Sequence, residues 1–117
     1  VIAPDDSALY VTLNKAGQVA KIDTATGRVL ARVATGTQPR SADISTDGTA
    51  LYVVNYENSN ISKIRTSDMS VLAKEPAGHH PIGIAYDDST GRVWVANYGG
   101  TIDVWDEVAG SSSASTP

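Results

Sequence analysis

Apolar and polar residues alternate along the chain in short segments that turn-forming residues separate. Valine, isoleucine, alanine and tyrosine fill these segments, and this mixture is typical of half-buried strands. Glycine, proline, aspartate and asparagine bound them, as is usual between strands. No stretch of useful length places apolar residues at i, i+3, i+4 and i+7, which is the spacing of an amphipathic helix. The pattern therefore predicts an all-β chain without a helical core.

One apolar segment recurs at a constant spacing. It occupies Leu9–Asn14, Leu51–Tyr56 and Val93–Tyr98, and both offsets are 42 residues (51 − 9 and 93 − 51). The linkers Gly36–Pro39 and Gly78–Pro81 are also 42 residues apart (78 − 36). A return at about 40 residues is the period of β-propeller blades, each of which is a four-stranded antiparallel sheet. A sandwich has no reason to repeat its loops with its strands, so the spacing favours propeller blades.

The strands of a blade are named A to D from the central axis outward. The pattern predicts strand A at 1–4 (in part), 41–45 and 82–86, strand B at 8–13, 50–55 and 92–97, strand C at 18–23, 61–65 and 101–106, and strand D at 28–35 and 70–75. The predicted blades span 1–35, 36–77 and 78–108. Residues 109–117 are low in complexity and are predicted to form a disordered tail or linker.

These strands make somewhat under three blades, whereas a propeller closes its ring with roughly four to eight. An incomplete ring leaves apolar end faces uncovered, and such faces usually mark an interface. We therefore expect one of two arrangements. Either several copies of the chain assemble into a ring, or the chain is a piece of a longer propeller. The predicted partners are accordingly other copies or the remaining blades.

Composition and motifs exclude several function classes. The net charge is −4, and lysine and arginine form no cluster, which argues against nucleic acid as a partner. No run of 18 apolar residues exists that could span a membrane. The absence of cysteine excludes disulfides and thiolate chemistry. GxSxG, P-loop, HExxH and EF-hand motifs are absent as well, and no cofactor is predicted.

Candidate chemistry lies on the loops that the predicted topology gathers on one face, namely the D–A linkers and the B–C turns. Function often resides on loops that rigid strands hold in place. We predict that this face contacts a protein or small-molecule ligand. The candidate ligand-binding residues are Arg40, Tyr56, Asn58, His79, His80 and Tyr98.

His79 and His80 form the sharpest feature of this face, because imidazole binds metals and titrates near neutral pH. They are candidates for a metal site or a general base, and the alternative is a polar linker before Pro81. Adjacent residues of an extended segment point to opposite sides. We therefore expect that one chain does not direct both rings at one ion.

Two residue types recur in strand B. Asn14, Asn55 and Asn97 end the strand and either contact a ligand or bond to the backbone of their own turn. Tyr10, Tyr52 and Trp94 lie inside the strand and are predicted to pack between blades.

The segments Leu9–Asn14, Leu51–Asn55 and Val93–Asn97, with strands 19–23 and 61–65, resemble the YVTN β-propeller repeat. The resemblance covers residues 1–107 and implies a seven-bladed fold. It also implies a group of bacterial and archaeal surface or periplasmic proteins. That group includes lactonase-like enzymes and the propeller subunits of some quinone or haem oxidoreductases.

Three functional hypotheses follow. The first is a non-enzymatic binding scaffold of a secreted or cell-surface bacterial protein, located outside the cell, on its surface or in the periplasm. The second is a fragment of a lactonase-like or oxidoreductase-associated propeller enzyme. The third is a structural repeat of a surface layer.

Overall fold

The computed structural model describes residues 1–106 and 108, and the tail predicted at 109–117 lies outside them. The described residues form ten β-strands and no helix. In chain order the strands are β1 (Ala8–Leu13), β2 (Gln18–Asp23), β3 (Val29–Ala34), β4 (Pro39–Ile44), β5 (Ala50–Asn55), β6 (Asn60–Arg65), β7 (Ser70–Pro76), β8 (Pro81–Asp87), β9 (Arg92–Asn97) and β10 (Ile102–Trp105). With no helix present in this part of the chain, none is long and apolar enough to cross a membrane.

The strands form three antiparallel meanders, one for each predicted blade. The sheet orders are β1-β2-β3, β4-β5-β6-β7 and β10-β9-β8. Residues 1–3 extend the first sheet, because the Val1 carbonyl accepts a hydrogen bond from Tyr10 N at 2.8 Å and Ile2 bridges to Leu9. The all-β fold of propeller-like antiparallel sheets is thus confirmed, and the described sheets do not close a ring.

Strand A begins earlier than the sequence predicts. Pro39 pairs with Asn55 and Pro81 pairs with Asn97, so β4 and β8 start at prolines. A proline can occupy the first position of a strand because it need not donate there to the ladder. The pairing register shifts directly after each proline, which is a β-bulge.

Two apolar cores lie between successive sheets. The first includes Tyr10, Leu51 and Val53, and the second includes Tyr52 and Val95. Every residue of β5 is buried because the second sheet is covered on both faces. In β9 buried and exposed residues alternate, so only one face of the third sheet is covered.

The three equivalent aromatic residues of strand B differ in their environment. Tyr10 and Tyr52 are 4% and 6% exposed, whereas Trp94 is 41% exposed. The prediction that Trp94 packs between blades is therefore not met in this structure. The reason is that its side of the third sheet has no following sheet in the described part of the chain.

Candidate functional site

The linkers between sheets lie against the B–C turn of the sheet that follows them. The same backbone hydrogen bonds fix both linkers: Tyr56 N to the Gln38 carbonyl at 3.0 Å, Glu57 N to Thr37 at 3.2 Å, Tyr98 N to His80 at 2.8 Å and Gly99 N to His79 at 3.1 Å. D–A linkers and B–C turns therefore form one surface, which we call the loop face. All six candidate ligand-binding residues lie on it or at the start of the adjoining strand.

Arg40 occupies the β-bulge at the start of β4. The pairing runs from Pro39 with Asn55 directly to Ser41 with Val54, so Arg40 has no partner in the ladder. A bulge turns the side chain of its extra residue away from the regular direction. The guanidinium carbon of Arg40 lies 3.8 Å from the centre of the Tyr56 ring. This cation–π contact holds the exposed arginine against the loop face.

Two histidines continue this contact. The rings of Tyr56 and His80 are stacked with their centres 4.1 Å apart, and the rings of His80 and His79 are stacked at 3.7 Å. Arg40, Tyr56, His80 and His79 therefore form one series of contacts, which we call the Arg40–His79 stack. The structure brings together four of the six candidates, and they come from three separate segments of the chain.

The expectation that the two histidine rings point to opposite sides is wrong. It assumed an extended segment, but His80 has a φ of +54°, which is left-handed. That conformation turns its ring back beside the ring of His79. Gln38, at the same place in the preceding linker, has a φ of +58°. The linker backbone, rather than histidine itself, therefore imposes this geometry.

The proximity of the two rings does not by itself make a metal centre. Within residues 1–106 and 108, no group of three or more histidine, cysteine, aspartate or glutamate side chains is arranged to hold a metal ion. The candidate metal site at His79 and His80 thus stays a prediction, with two imidazoles as its ligands.

The other two candidates lie apart from the stack. The Asn58 side-chain oxygen accepts a hydrogen bond from Thr37 N at 2.5 Å, so this residue supports the linker. Tyr98 is 70% exposed, and no ring contact joins it to the stack among the described residues. Tyr98 is therefore accessible to a ligand but is not positioned by neighbouring side chains.

The recurring asparagines at the end of strand B tie the turn to the linker. Asn55 Nδ2 donates to Ser62 Oγ at 3.0 Å, and that hydroxyl donates to the Thr35 carbonyl at 3.1 Å. In the next sheet Asn97 Nδ2 donates to Asp103 Oδ2 at 2.9 Å, and Gly78 N donates to the same oxygen at 2.7 Å. Through these hydrogen bonds both asparagines hold the end of strand B against the linker and so support the loop face.

The chemistry available to the stack follows from its groups. A guanidinium is a permanent cation that binds carboxylates and developing oxyanions. A neutral imidazole accepts a proton near pH 7. The sequence analysis named these residues separately but missed the stack, because the sign of φ at His80 is not visible in the sequence. The presence of tyrosine and histidine in neighbouring loops was the available signal.

Solved structures of other proteins share this fold. Hydrazine synthase of Kuenenia stuttgartiensis is 28% identical over 88% of this chain and 30% of its own, with a TM-score of 0.85. A putative 6-phosphogluconolactonase of Bacteroides fragilis is 17% identical over 98% of this chain and 36% of its own, with a TM-score of 0.87. The periplasmic gluconolactonase PpgL of Pseudomonas aeruginosa is 18% identical over 99% of this chain and 38% of its own, with a TM-score of 0.79.

The chain spans 30% to 38% of the length of these three proteins. No curated protein sequence gives a significant match to it. A family model described as "Lactonase, 7-bladed beta-propeller" matches residues 11–116, which is most of the chain. The chain belongs to the seven-bladed β-propeller lactonase family.

Proposed function

We propose that this chain contributes blades to a lactonase-type propeller and that the Arg40–His79 stack takes part in binding and hydrolysing a small carbohydrate lactone. The observation that carries the proposal is the stack itself, on the loop face of a chain from the lactonase family. Two of the structural relatives are a gluconolactonase and a putative 6-phosphogluconolactonase by name.

The proposed reaction divides two roles among the groups of the stack. Water attacks the lactone carbonyl carbon, an imidazole of His79 or His80 accepts the proton of that water, and the ring C–O bond breaks. The proton then passes to the departing alkoxide, which becomes a hydroxyl. The guanidinium of Arg40 stabilises the negative charge that develops on the carbonyl oxygen. Tyr56 is a positioning residue because its ring holds both the arginine and His80.

Hydrolysis of glucono-δ-lactone in a pH-stat tests this proposal. We expect His79→Ala/His80→Ala and Arg40→Ala to lower kcat/KM by at least about tenfold each, as loss of a proton acceptor or an oxyanion partner does. Arg28→Ala removes an equal charge from an exposed turn outside the stack and serves as the matched control. Hydrolysis at the wild-type rate in both stack variants would contradict the proposal.

A binding scaffold without catalysis is the second candidate function. Among residues 1–106 and 108, no carboxylate forms an ion pair with Arg40, His79 or His80. This favours the scaffold, since a carboxylate commonly orients a catalytic imidazole. Saturable binding of glucono-δ-lactone that Arg40→Ala weakens, without any turnover, would support the scaffold and contradict the hydrolase.

The proposal also covers the repeat type, the number of blades, the partner and the location of the protein. The recurrent segments support the YVTN repeat and a count of under three blades in this chain. The uncovered face of the third sheet supports a further blade or a second copy as the partner. We place the protein on the cell surface, outside the cell or in the periplasm, as the repeat type implies.

A further inference from the structure

A polar cleft lies at the junction of the first and second sheets, and none of its lining residues belongs to the Arg40–His79 stack. Its volume is about 760 Å³, within the range of small-molecule sites. The B–C turn of the first sheet, the linker after β3 and the outer strand β7 form its walls. Its polar lining residues are Asn14, Lys15, Thr35, Thr37, Gln38 and Lys74, and the other four lining residues are alanine or glycine.

The charge of this cleft is opposite to that of the chain. Lys15 and Lys74 contribute two positive charges, and none of its lining residues is acidic. Neither lysine forms an ion pair among residues 1–106 and 108, where both observed pairs involve arginine. The chain as a whole carries a net charge of −4. A cationic cleft on an acidic protein attracts anions selectively.

A buried hydroxyl in the wall of the cleft supports a ligand independently. Thr35 is fully buried, and its side-chain oxygen has no hydrogen-bond partner within the described residues. A buried polar group without a partner is costly and calls for an explanation, such as a ligand or ion that satisfies it. The backbone of Thr35 is fixed, because its N–H donates to the Gly17 carbonyl at 3.0 Å and its carbonyl accepts from Ser62.

The repeat does not require a lysine and a hydroxyl at the positions of Lys15 and Thr35. At the next junction, 42 positions later in the chain, Glu57 takes the place of Lys15 and Ala77 takes the place of Thr35. The next junction therefore has an acidic residue where the cleft has a lysine, and a methyl group where the cleft has a hydroxyl. Packing of one sheet against the next evidently needs neither Lys15 nor Thr35.

We propose that this cleft is a binding site for a small oxyanion-bearing ligand, such as a phosphorylated or carboxylated sugar. The two ammonium groups neutralise the phosphate or carboxylate. The Thr35 hydroxyl donates to an anion oxygen, and the Gln38 amide is available to sugar hydroxyls. Asn14 Nδ2 donates to the Pro39 carbonyl at 3.3 Å, so Asn14 offers a ligand its side-chain oxygen. The Gln38 carbonyl accepts a hydrogen bond from Tyr56 N of the stack, but no side chain of the stack lines the cleft, so anion binding there does not require lactone hydrolysis.

Titration calorimetry of the full chain at low salt tests the site with two probes, inorganic phosphate and gluconate. Binding of phosphate alone identifies a phosphate group as the ligand chemistry, and binding of gluconate identifies a carboxylate. We expect Lys15→Gln/Lys74→Gln to weaken the affinity by at least about tenfold. Thr35→Ala is expected to weaken it about threefold without loss of folding, since alanine stands at the equivalent position 77.

Two controls make the result specific. Arg32→Gln removes a charge at the position of the first sheet that is equivalent to Lys74 but lies outside the cleft lining, and it should leave binding unchanged. His79→Ala should also leave binding unchanged, whatever it does to lactone hydrolysis. The proposal is overturned if neither probe binds at about 10 mM, or if Arg32→Gln weakens binding as much as the lysine variants do.

Discussion

Four aspartates hold tight turns of the sheets in the same way. Asp5, Asp47, Asp68 and Asp87 each accept hydrogen bonds from the N–H and the hydroxyl of the serine or threonine two residues later. These bonds favour the ionised carboxyl, and the pKa of each aspartate is lowered, with a hydroxyl hydrogen bond as the largest cause. For Asp47, where the Ser45 hydroxyl contributes most, the pKa falls to about 2.

Acid should therefore weaken these turns. A carboxyl whose pKa is lower in the folded than in the unfolded state stabilises the fold at pH values above its unfolded pKa, which is near 3.8. This stabilisation is lost as the pH falls towards the folded pKa of about 2. We expect Asp47→Ala to lower the free energy of unfolding by about 1 kcal/mol at pH 7 and to flatten its decline in acid. Urea denaturation at pH values from neutral to about 3 measures both effects.

The control for this variant is Glu57→Ala, which removes an exposed carboxylate outside these four turns. It should leave the decline in acid unchanged. An Asp47→Ala protein with wild-type stability at every pH would show that the Asp47 hydrogen bonds add nothing to the folded state.

At the level of elements, the backbone conformation of the turns in the first sheet recurs in the second sheet and in the linkers. Eight left-handed residues form four pairs 42 positions apart, namely Asp6 and Gly48, Gly17 and Ser59, Gly27 and Met69, and Gln38 and His80, while Gly91 and Gly100 of the third sheet have no such partner. In each pair at least one member is not glycine, although glycine adopts this conformation most easily. The packing of each sheet therefore imposes the turn geometry on the residues that are present.

Two glycines of the first sheet allow a matched test of this geometry. Gly17 and Gly27 have φ values of +68° and +74°, so alanine at either position costs about 1 kcal/mol in backbone strain. A Cβ at Gly17 would also lie 2.6 Å from the Gly36 carbonyl oxygen, whereas nothing lies within 4 Å of one at Gly27.

We expect Gly17→Ala to lower the free energy of unfolding by at least about 2 kcal/mol more than Gly27→Ala, because the linker must move to admit the methyl group. Gly17→Ala should also weaken anion binding in the cleft, whose wall it forms. Chemical denaturation of the two variants measures the difference in stability. Equal losses of stability in the two variants would mean that backbone strain at positive φ alone accounts for both.

Element positions were far more predictable than side-chain geometry. The bounds of β1, β5 and β9 agree with the sequence prediction to the residue, because apolar alternation and turn chemistry both define strand B. The starts of β4 and β8 at Pro39 and Pro81 were missed, since a bulge leaves no mark in the hydrophobic pattern. The Arg40–His79 stack and the cationic cleft were missed because each joins three segments that only the folded chain brings together.

For the whole molecule, the two internal interfaces indicate what the uncovered face of the third sheet accommodates. Tyr10 and Tyr52 are each buried against the following sheet, and Trp94 occupies their position on the third sheet. Ile102, which is 58% exposed, extends this apolar surface. We expect a sheet of the same kind, with small aliphatic residues like Leu51 and Val53, to cover it in a further blade or a second copy.

If a second copy of the chain covers this face, the protein should self-associate. A charge introduced on the face should then weaken that association. Covering the exposed part of Trp94 contributes about 2 kcal/mol, so Trp94→Asp should weaken association by about tenfold or more. Leu72→Asp is the matched control, because Leu72 is also 41% exposed but lies on the second sheet, which has neighbours on both faces. Light scattering over a range of concentrations, with native mass spectrometry, measures the association. A monomer at every concentration would contradict the second-copy arrangement and would favour a further blade as the cover of this face.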